Sequence, residues 1–173
     1  MAGISTGEQD EEIITEKVMT VEQHIAPKQA ILIVEDSAED YEATLRALRK
    51  CGVGNPIYHS FDGEEALDFL FHRGKFPDPQ RAPRPALILL DLNLPGTDGR
   101  EVLATVKQDE TLKKIPVIVL TTSSNERDIE ECYSAGANSY LVKPVSRDGF
   151  LDSMRRLTDF WFQIAIVPKD SGK

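Results

Sequence analysis

Cysteine is scarce in this sequence, and no apolar run is long. The 173-residue chain holds two cysteines, Cys51 and Cys132, which stand far apart and form no C-x-x-C pair. We therefore predict two buried, reduced thiols and a cytoplasmic protein. No apolar run approaches the roughly 20 residues that span a bilayer, so no membrane segment is predicted. The opening stretch MAGISTGEQDEE is acidic and lacks an apolar core, so we expect no signal peptide.

Positive charge is also in short supply. The chain has 20 Lys and Arg against 29 Asp and Glu, and its formal net charge is −9 at pH 7. Such a surface repels phosphate backbones, which argues against nucleic acid as a partner. The three histidines are too widely spaced to predict a metal site, and we expect them to be structural or exposed. With 40% apolar residues, the chain has enough hydrophobic content for the core of one domain.

The composition divides the chain into three parts. Residues 1–28 are acidic and contain no aromatic residue, which is typical of a flexible arm. Four aliphatic residues in this arm nevertheless recur at helical spacing: Ile14, Val18, Val21 and Ile25. The arm is thus expected to be either flexible or helical. Residues 29–162 carry a regular pattern of strands and helices, and residues 163–173 form a C-terminal extension.

Five apolar runs alternate with five amphipathic patterns. Strands are predicted over 30–34, 55–61, 86–90, 115–121 and 139–142. Helices are predicted over 41–50, 64–71, 100–108, 126–135 and 147–162. Strands that are apolar throughout and separated by helices predict a doubly wound α/β fold, with a five-stranded parallel sheet and helices on both faces. Residues 71–85 contain four prolines and are predicted to be a surface loop, with a recognition loop as the alternative.

Charged and hydroxyl side chains follow four of these strands. Glu35 and Asp36 follow the first strand, Asp91 the third and Lys143 the fifth, while Thr121 ends the fourth. Ligands bind at the carboxyl ends of the strands in this fold, so we expect these groups to meet there. Crowded carboxylates repel one another, and a hard divalent cation such as Mg²⁺ would relieve the repulsion. The ammonium and the hydroxyl could then contact the oxygens of a phosphoryl group on Asp91.

Four segments carry a resemblance to a known family. ILIVEDS, LILLDLNLPGTDG, VIVLTTS and SYLVKP resemble, in order and spacing, the motifs of the receiver domains of two-component response regulators. The resemblance covers about residues 29–162 and implies a flavodoxin-like fold. It implies that Asp91 accepts a phosphoryl group from a phosphohistidine of a sensor histidine kinase. It also implies that Mg²⁺ is bound by Asp36, Asp91 and the backbone carbonyl of Asn93, and by Glu35 through a water.

The same resemblance assigns roles around the phosphoryl group. Lys143 would pair with the phosphoryl group, and Thr121 would hydrogen-bond to it when the protein switches. Tyr140 matches the aromatic position that turns inward together with this threonine. The Lys143–Pro144 bond matches the cis peptide of the family. Many receivers carry Asp at the position of Glu35, so this residue departs from the common pattern while keeping its charge.

Finer features resemble the small stand-alone response regulators that accompany bacterial phytochromes. These features are DGEEALDFLFHRG, the proline-rich segment, LTTSS and DFW. The resemblance implies a phytochrome as the kinase and an output through phosphorylation-dependent protein–protein contacts. Apolar residues near the C-terminus exceed what an ordinary exposed end carries, and we expect them to form a homodimer or partner surface. Its members are Leu151, Phe160, Phe162, Ile164 and Ile166.

Three other functions compete with this interpretation. An Mg²⁺-dependent phosphohydrolase that forms an aspartyl-phosphate would place a general acid where Asn93 stands, and an amide cannot transfer the proton. We therefore expect the phosphorylated protein to hydrolyse slowly, but we expect no enzymatic turnover of other substrates. A nucleotide- or flavin-binding module would need a glycine-rich phosphate loop after the first strand, where EDSAED is acidic. A receiver that has lost phosphorylation would not need to keep every type of residue that the site requires, yet this sequence keeps them all.

Overall fold

The computed structural model of the protein describes residues 29–168. The strands are β1 Ala30–Val34, β2 Ile57–Ser60, β3 Pro85–Leu90, β4 Val117–Thr121 and β5 Ser139–Val142. The helices are α1 Ala38–Lys50, α2 Gly63–Leu70, α3 Gly99–Gln108, α4 Glu126–Ser134 and α5 Arg147–Asp159, and one π-helical segment, Phe160–Ile164, follows α5. The prediction that the arm of residues 1–28 is flexible or helical lies outside the described residues.

The five strands form one sheet in the order β2-β1-β3-β4-β5. Every neighbouring pair is parallel. The chain passes from β1 outward to β2 and then returns to the other side of β1 to form β3. The strand order therefore reverses between β1 and β3, which is where ligands bind in doubly wound sheets. The predicted fold is confirmed.

Two apolar clusters cover the two faces of the sheet. Successive residues of a strand point to opposite faces, so Leu32 and Val34 belong to one cluster while Ile31 and Ile33 belong to the other. β1, β3 and β4 are buried along their whole length. This burial explains why they are apolar throughout rather than alternating. Val167, which the sequence placed in the C-terminal extension, is also buried in the second cluster.

Each α-helix begins at a residue whose side chain accepts a hydrogen bond from a backbone N–H of the first turn. These N-cap residues are Ser37, Asp62, Asp98, Asn125 and Ser146. Such caps satisfy donors that have no partner within the helix. α1 consequently begins at Ala38, three residues before the apolar pattern from which it was predicted. At the other end of the fold, α5 ends at Asp159, so the predicted α-helix does not continue to residue 162.

Two other features of the described residues bear on the predictions. Residues 71–84 form turns without regular secondary structure, as predicted for a surface loop. Within residues 29–168, no helix is both long and apolar enough to cross a membrane.

Candidate phosphoacceptor site

An ammonium group lies at the centre of the acidic residues at the carboxyl edge of the sheet. The Lys143 Nζ donates to Glu35 Oε2 at 2.6 Å and to Asp91 Oδ2 at 2.9 Å. Glu35 follows β1, Asp91 follows β3 and Lys143 follows β5, so three strand ends supply these side chains. The side chains of all three are at most 7% exposed. The structure therefore brings together three of the residues that the sequence predicted to meet.

A third carboxylate, which the sequence analysis missed, completes the contacts of this ammonium. Asp40 Oδ2 accepts from Lys143 Nζ at 2.8 Å. Glu35, Asp40 and Asp91 each offer an oxygen, and these oxygens lie within 4.8 Å of one another. Asp36, a predicted metal ligand, is exposed and is not part of this group. The first turn of α1 thus places Asp40 where Asp36 was expected.

The helix cap explains how Asp40 reaches the site. The segment SAED fits the capping-box pattern, in which the third helical residue usually bonds back to the N–H of the cap residue. Here Glu35 Oε1 accepts from the N–H of Ser37 at 3.1 Å, and Ser37 Oγ accepts from the N–H of Asp40 at 3.2 Å. Because Glu35 bonds the cap N–H, the carboxylate of Asp40 is available to Lys143. The capping pattern alone would have assigned the Asp40 carboxylate to the N–H of Ser37, so it gave no indication of the contact with Lys143.

Burial and hydrogen bonding act in opposite directions on the pKa values of the site. Burial alone would lower the pKa of Lys143, but hydrogen bonds to Asp40, Glu35 and Asp91 outweigh it and raise this pKa. Burial would raise the pKa of Asp91, but bonds from Lys143 and the N–H of Asn93 hold it below its ordinary value. For Glu35, burial outweighs the bond from Lys143, and its pKa is raised. The ionised form of Asp91 is therefore favoured in the site.

The backbone around Asp91 fixes its position. Asp91 Oδ1 accepts from the N–H of Asn93 at 3.0 Å. The start of α3 lies directly against the chain here, since a Cβ atom on Gly99 would lie 2.1 Å from the carbonyl oxygen of Asp91. Only glycine permits this approach, and the N–H of Gly99 donates to the carbonyl of Leu92 at 3.0 Å. The loop after β3 is therefore held against α3.

Hydrogen bonds connect the site to the loop after β4. Thr121, which is fully buried, accepts from Asn93 Nδ2 at 3.3 Å and from the N–H of Ser123 at 3.4 Å. The Tyr140 hydroxyl donates to the carbonyl of Ser123 at 3.1 Å, and its ring packs against the first apolar cluster. Thr121 and Tyr140 are thus linked through Ser123. This residue was quoted in the LTTSS segment but was assigned no role.

The same loop is held from its other side by an ion pair. Ser123 Oγ donates to Asp128 Oδ2 at 2.6 Å, and Arg100 Nη2 lies 2.8 Å from the same carboxylate oxygen. Arg100 belongs to α3 and Asp128 to α4, so this pair joins two neighbouring helices. Sequence spacing does not indicate this contact, because its partners lie on different helices.

The predicted cis peptide is wrong. The Lys143–Pro144 bond is trans in the structure. The trans form is favoured by about 0.5–1 kcal/mol before proline, so a cis bond needs a local reason. The trans bond fits the strand pairing, since the N–H of Lys143 donates to the carbonyl of Thr121 at 2.7 Å. This bond continues the pairing of β5 with β4, and the side chain of Lys143 enters the site directly from the strand end.

The residues predicted to form a dimer surface fall into two groups. Phe160, Ile164 and Ile166 are 49%, 66% and 57% exposed. Leu151 and Phe162 are partly buried and pack against the second apolar cluster of the domain itself. Only the first three residues therefore remain available to a partner among the five that were predicted.

The donor set fits a divalent cation. Carboxylate oxygens are the ligands that Mg²⁺ and similar hard ions prefer. Three carboxylates with one ammonium leave the cluster with two uncompensated negative charges. The structure already brings a cation, the ammonium of Lys143, within hydrogen-bond distance of all three. The residues present are therefore suited to binding positive charge at this position.

Buried carboxylates and a lysine that meet at the carboxyl edge of a doubly wound sheet suit a phosphoacceptor signalling domain. Residues 31–155 match the family described as response regulator receiver domain, and the chain belongs to this family. The protein is a response regulator of the receiver type. This membership does not favour the phosphohydrolase alternative.

Two similar proteins, one of them also as a metal-bound structure, illustrate the match. The response regulator Rcp1 of Synechocystis sp. is 40% identical over 142 residues, which are 82% of this chain and 95% of that protein. The phosphorylated cyanobacterial phytochrome response regulator RcpA superposes with a TM-score of 0.77 at 40% identity, covering 82% of this chain and 99% of that one. The Mn²⁺-bound form of Rcp1 gives a TM-score of 0.76 at 40% identity, with the same coverage of 82% and 99%.

Proposed function

We propose that Asp91 accepts a phosphoryl group from a phosphohistidine of a sensor histidine kinase, with Mg²⁺ as the divalent cation. The observation that carries this proposal is the contact of 2.9 Å between Asp91 Oδ2 and Lys143 Nζ in a buried site. This contact places a fixed positive charge beside the oxygen to be phosphorylated. Phosphoryl transfer depends mainly on positioning and on stabilising charge at the phosphoryl oxygens.

The transfer step requires no other protein group as a nucleophile. An oxygen of the Asp91 carboxylate forms a bond to phosphorus, and the bond from phosphorus to the imidazole nitrogen of the donor breaks. The electron pair of that bond stays on the nitrogen, and the imidazole is released. Lys143 donates to a phosphoryl oxygen during transfer and afterwards. Hydrolysis of the product is expected to be slow, because the amide of Asn93 cannot transfer a proton.

Several residues would hold the cation. They are Asp91, the backbone carbonyl of Asn93, Glu35 through a water, and Asp36, whose exposed carboxylate would have to turn toward the acidic group. When bound, a divalent ion neutralises charge on the transferring oxygens. The Mn²⁺-bound structure of Rcp1 supports a divalent metal, since it shows one in a similar protein.

The hydrogen-bonded loop after β4 supports a switch. A phosphoryl group adds about −1.5 to −2 charge beside Asp91. The hydroxyl of Thr121 would turn toward this charge and release its present bonds to Asn93 and Ser123. Tyr140, which bonds to the carbonyl of Ser123, would then move with the loop. A local charge change would thereby reach the protein surface.

We further infer a phytochrome as the kinase, a cytoplasmic location and a homodimer. The similarity to RcpA, described as a phytochrome response regulator, supports the first inference. The exposed Phe160, Ile164 and Ile166 support the third, since apolar side chains of this size gain from burial against a second copy. Sedimentation of the wild type and of Phe160→Ser, with and without phosphorylation, tests the dimer. A monomer at all concentrations would contradict it.

Phosphotransfer tests the main proposal. Candidate histidine kinases, including phytochromes, are labelled and incubated with the wild type and with Asp91→Asn, with and without Mg²⁺. Label should reach the wild type only when Mg²⁺ is present, and Asp91→Asn should remain unlabelled. Asp152→Asn, in which the altered carboxyl is half exposed on α5, is the matched control and should accept label normally. Label on Asp91→Asn would place the acceptor elsewhere and contradict the proposal.

A further inference from the structure

The ammonium of Lys143 has a carboxylate partner for each of its protons. An ammonium group carries three donors, and Lys143 Nζ lies 2.6 Å from Glu35, 2.8 Å from Asp40 and 2.9 Å from Asp91. Any new acceptor must therefore replace one of these three. On phosphorylation the new acceptor is a phosphoryl oxygen, and the carboxylate that it replaces is Asp91.

Asp40 differs from the other two acceptors in its surroundings. Its side chain is 42% exposed, whereas those of Glu35 and Asp91 are 4% and 7% exposed. It is also the one of the three to which the proposed function gives no part in binding metal or the phosphoryl group. Its position depends on α1, since its N–H donates to Ser37 Oγ at the helix cap.

We propose that Asp40 is a positioning residue for phosphorylation, acting through Lys143. It holds the ammonium in the site while Asp91 and Glu35 change partners. When Asp91 is phosphorylated, the oxygen that faced Lys143 loses its charge, and Glu35 would share its carboxylate with the divalent ion that it would hold through a water. Asp40 then remains as the acceptor that keeps Lys143 within reach of the phosphoryl oxygens. This proposal rests on the proposed function, because it assumes transfer to Asp91.

Removing the Asp40 carboxylate should have two opposing effects on the phosphorylation rate, one through charge and one through the position of Lys143. Removing a carboxylate makes the site less negative, which by itself would favour an anionic phosphodonor. Removing the acceptor also releases the ammonium, and a displacement of about 1 Å in a reacting site can cost up to about 100-fold in rate. Asp40→Asn removes the charge but keeps an acceptor oxygen at the same position. Asp40→Ala removes both, so the two variants distinguish the effects.

The experiment measures phosphorylation by radiolabelled acetyl phosphate over a range of Mg²⁺ concentrations. Asp40→Ala should lower the rate constant at saturating Mg²⁺ by about tenfold. Asp40→Asn should retain most of the rate. The half-saturating Mg²⁺ concentration should stay unchanged in both. Glu39→Gln removes an exposed charge from the neighbouring position of α1 and should behave as the wild type.

A double-mutant cycle tests whether Asp40 acts through the ammonium. In a Lys143→Met background, Asp40→Ala should have no further effect, because its partner is already gone. Equal rates for Asp40→Ala and the wild type would overturn the proposal, as would an undiminished effect in the Lys143→Met background. An increased half-saturating Mg²⁺ concentration with a normal maximal rate would make Asp40 a metal ligand and also overturn it. Absence of label from the wild type would refute the proposed function itself.

Discussion

Replacing Lys143 by methionine removes the positive charge from a cluster of three carboxylates. The side chains of Glu35 and Asp91 are 4% and 7% exposed, so water cannot take over the role of the ammonium. Removing one partner of a buried ion pair costs about 3–5 kcal/mol, because the remaining charge is left uncompensated. Methionine has a similar volume, so little of this loss comes from a cavity. Asp40, which is 42% exposed, should contribute little to it.

The stability lost in Lys143→Met should depend on pH in a defined direction. In the wild type the pKa of Asp91 is below its ordinary value, so its ionised form stabilises the fold above the unfolded pKa, and this stabilisation disappears as the pH falls. In Lys143→Met, burial remains while the bonds from the ammonium are gone, so the pKa values of Asp91 and Glu35 should both be raised. Their ionised forms then oppose folding. The difference between the two proteins should therefore be largest at neutral pH and should shrink on acidification.

Urea unfolding in EDTA, at neutral and at mildly acid pH, measures this difference. A repeat in saturating MgCl₂ should restore part of the lost stability, because a divalent ion supplies the missing charge to the folded state only. Lys75→Met makes the same substitution at an ion pair whose lysine side chain is 78% exposed, and should change stability by less than about 1 kcal/mol. A Lys143→Met variant as stable as the wild type in EDTA at neutral pH would refute the reasoning.

Two further predictions concern groups around the site. Gly99→Ala should destabilise the protein by about 1–3 kcal/mol and slow phosphorylation, since the new Cβ atom would lie 2.1 Å from the carbonyl oxygen of Asp91. Gly54→Ala, where nothing lies within 4 Å of the added atom, is its control in urea unfolding and phosphotransfer, and equal losses would contradict the prediction. Tyr140→Phe removes a hydroxyl bonded at 3.1 Å and should cost about 0.5–1.5 kcal/mol in the same unfolding assay. Tyr133→Phe, at an exposed position, should cost less.

The fold was predictable because its three central strands are buried on both faces. Such strands must be apolar throughout, and β1 was predicted at the bounds that the structure gives it. Helix ends were harder to predict, because they depend on hydrogen bonds rather than on apolar periodicity. α1 begins three residues before its apolar pattern, since Ser37 caps it. α5 gives way to a π-helical segment at Phe160, which no periodicity indicated.

The site was predictable where a residue's position follows from a strand end. Glu35, Asp91 and Lys143 each come directly after a strand, and parallel strands bring their carboxyl ends to one edge of the sheet. Asp36 and Asp40 depend instead on the path of the chain between β1 and α1. This path exposes Asp36 and returns Asp40 to the site. The sequence also did not determine the isomer of the bond before Pro144, which is trans, because the two isomers differ by only about 0.5–1 kcal/mol.

The charge of the cluster explains why one lysine is not sufficient for phosphorylation. Three carboxylates and Lys143 leave two uncompensated negative charges. Phosphorylation removes one carboxylate charge from Asp91 and adds about −1.5 to −2, so the cluster becomes more negative as the product forms. A divalent ion held by these residues would bring the unphosphorylated cluster to neutrality and would leave the product within about one charge of it. The ammonium therefore sets the position of the acceptor and the phosphoryl oxygens, while the divalent ion has to supply the remaining charge that makes the product accessible.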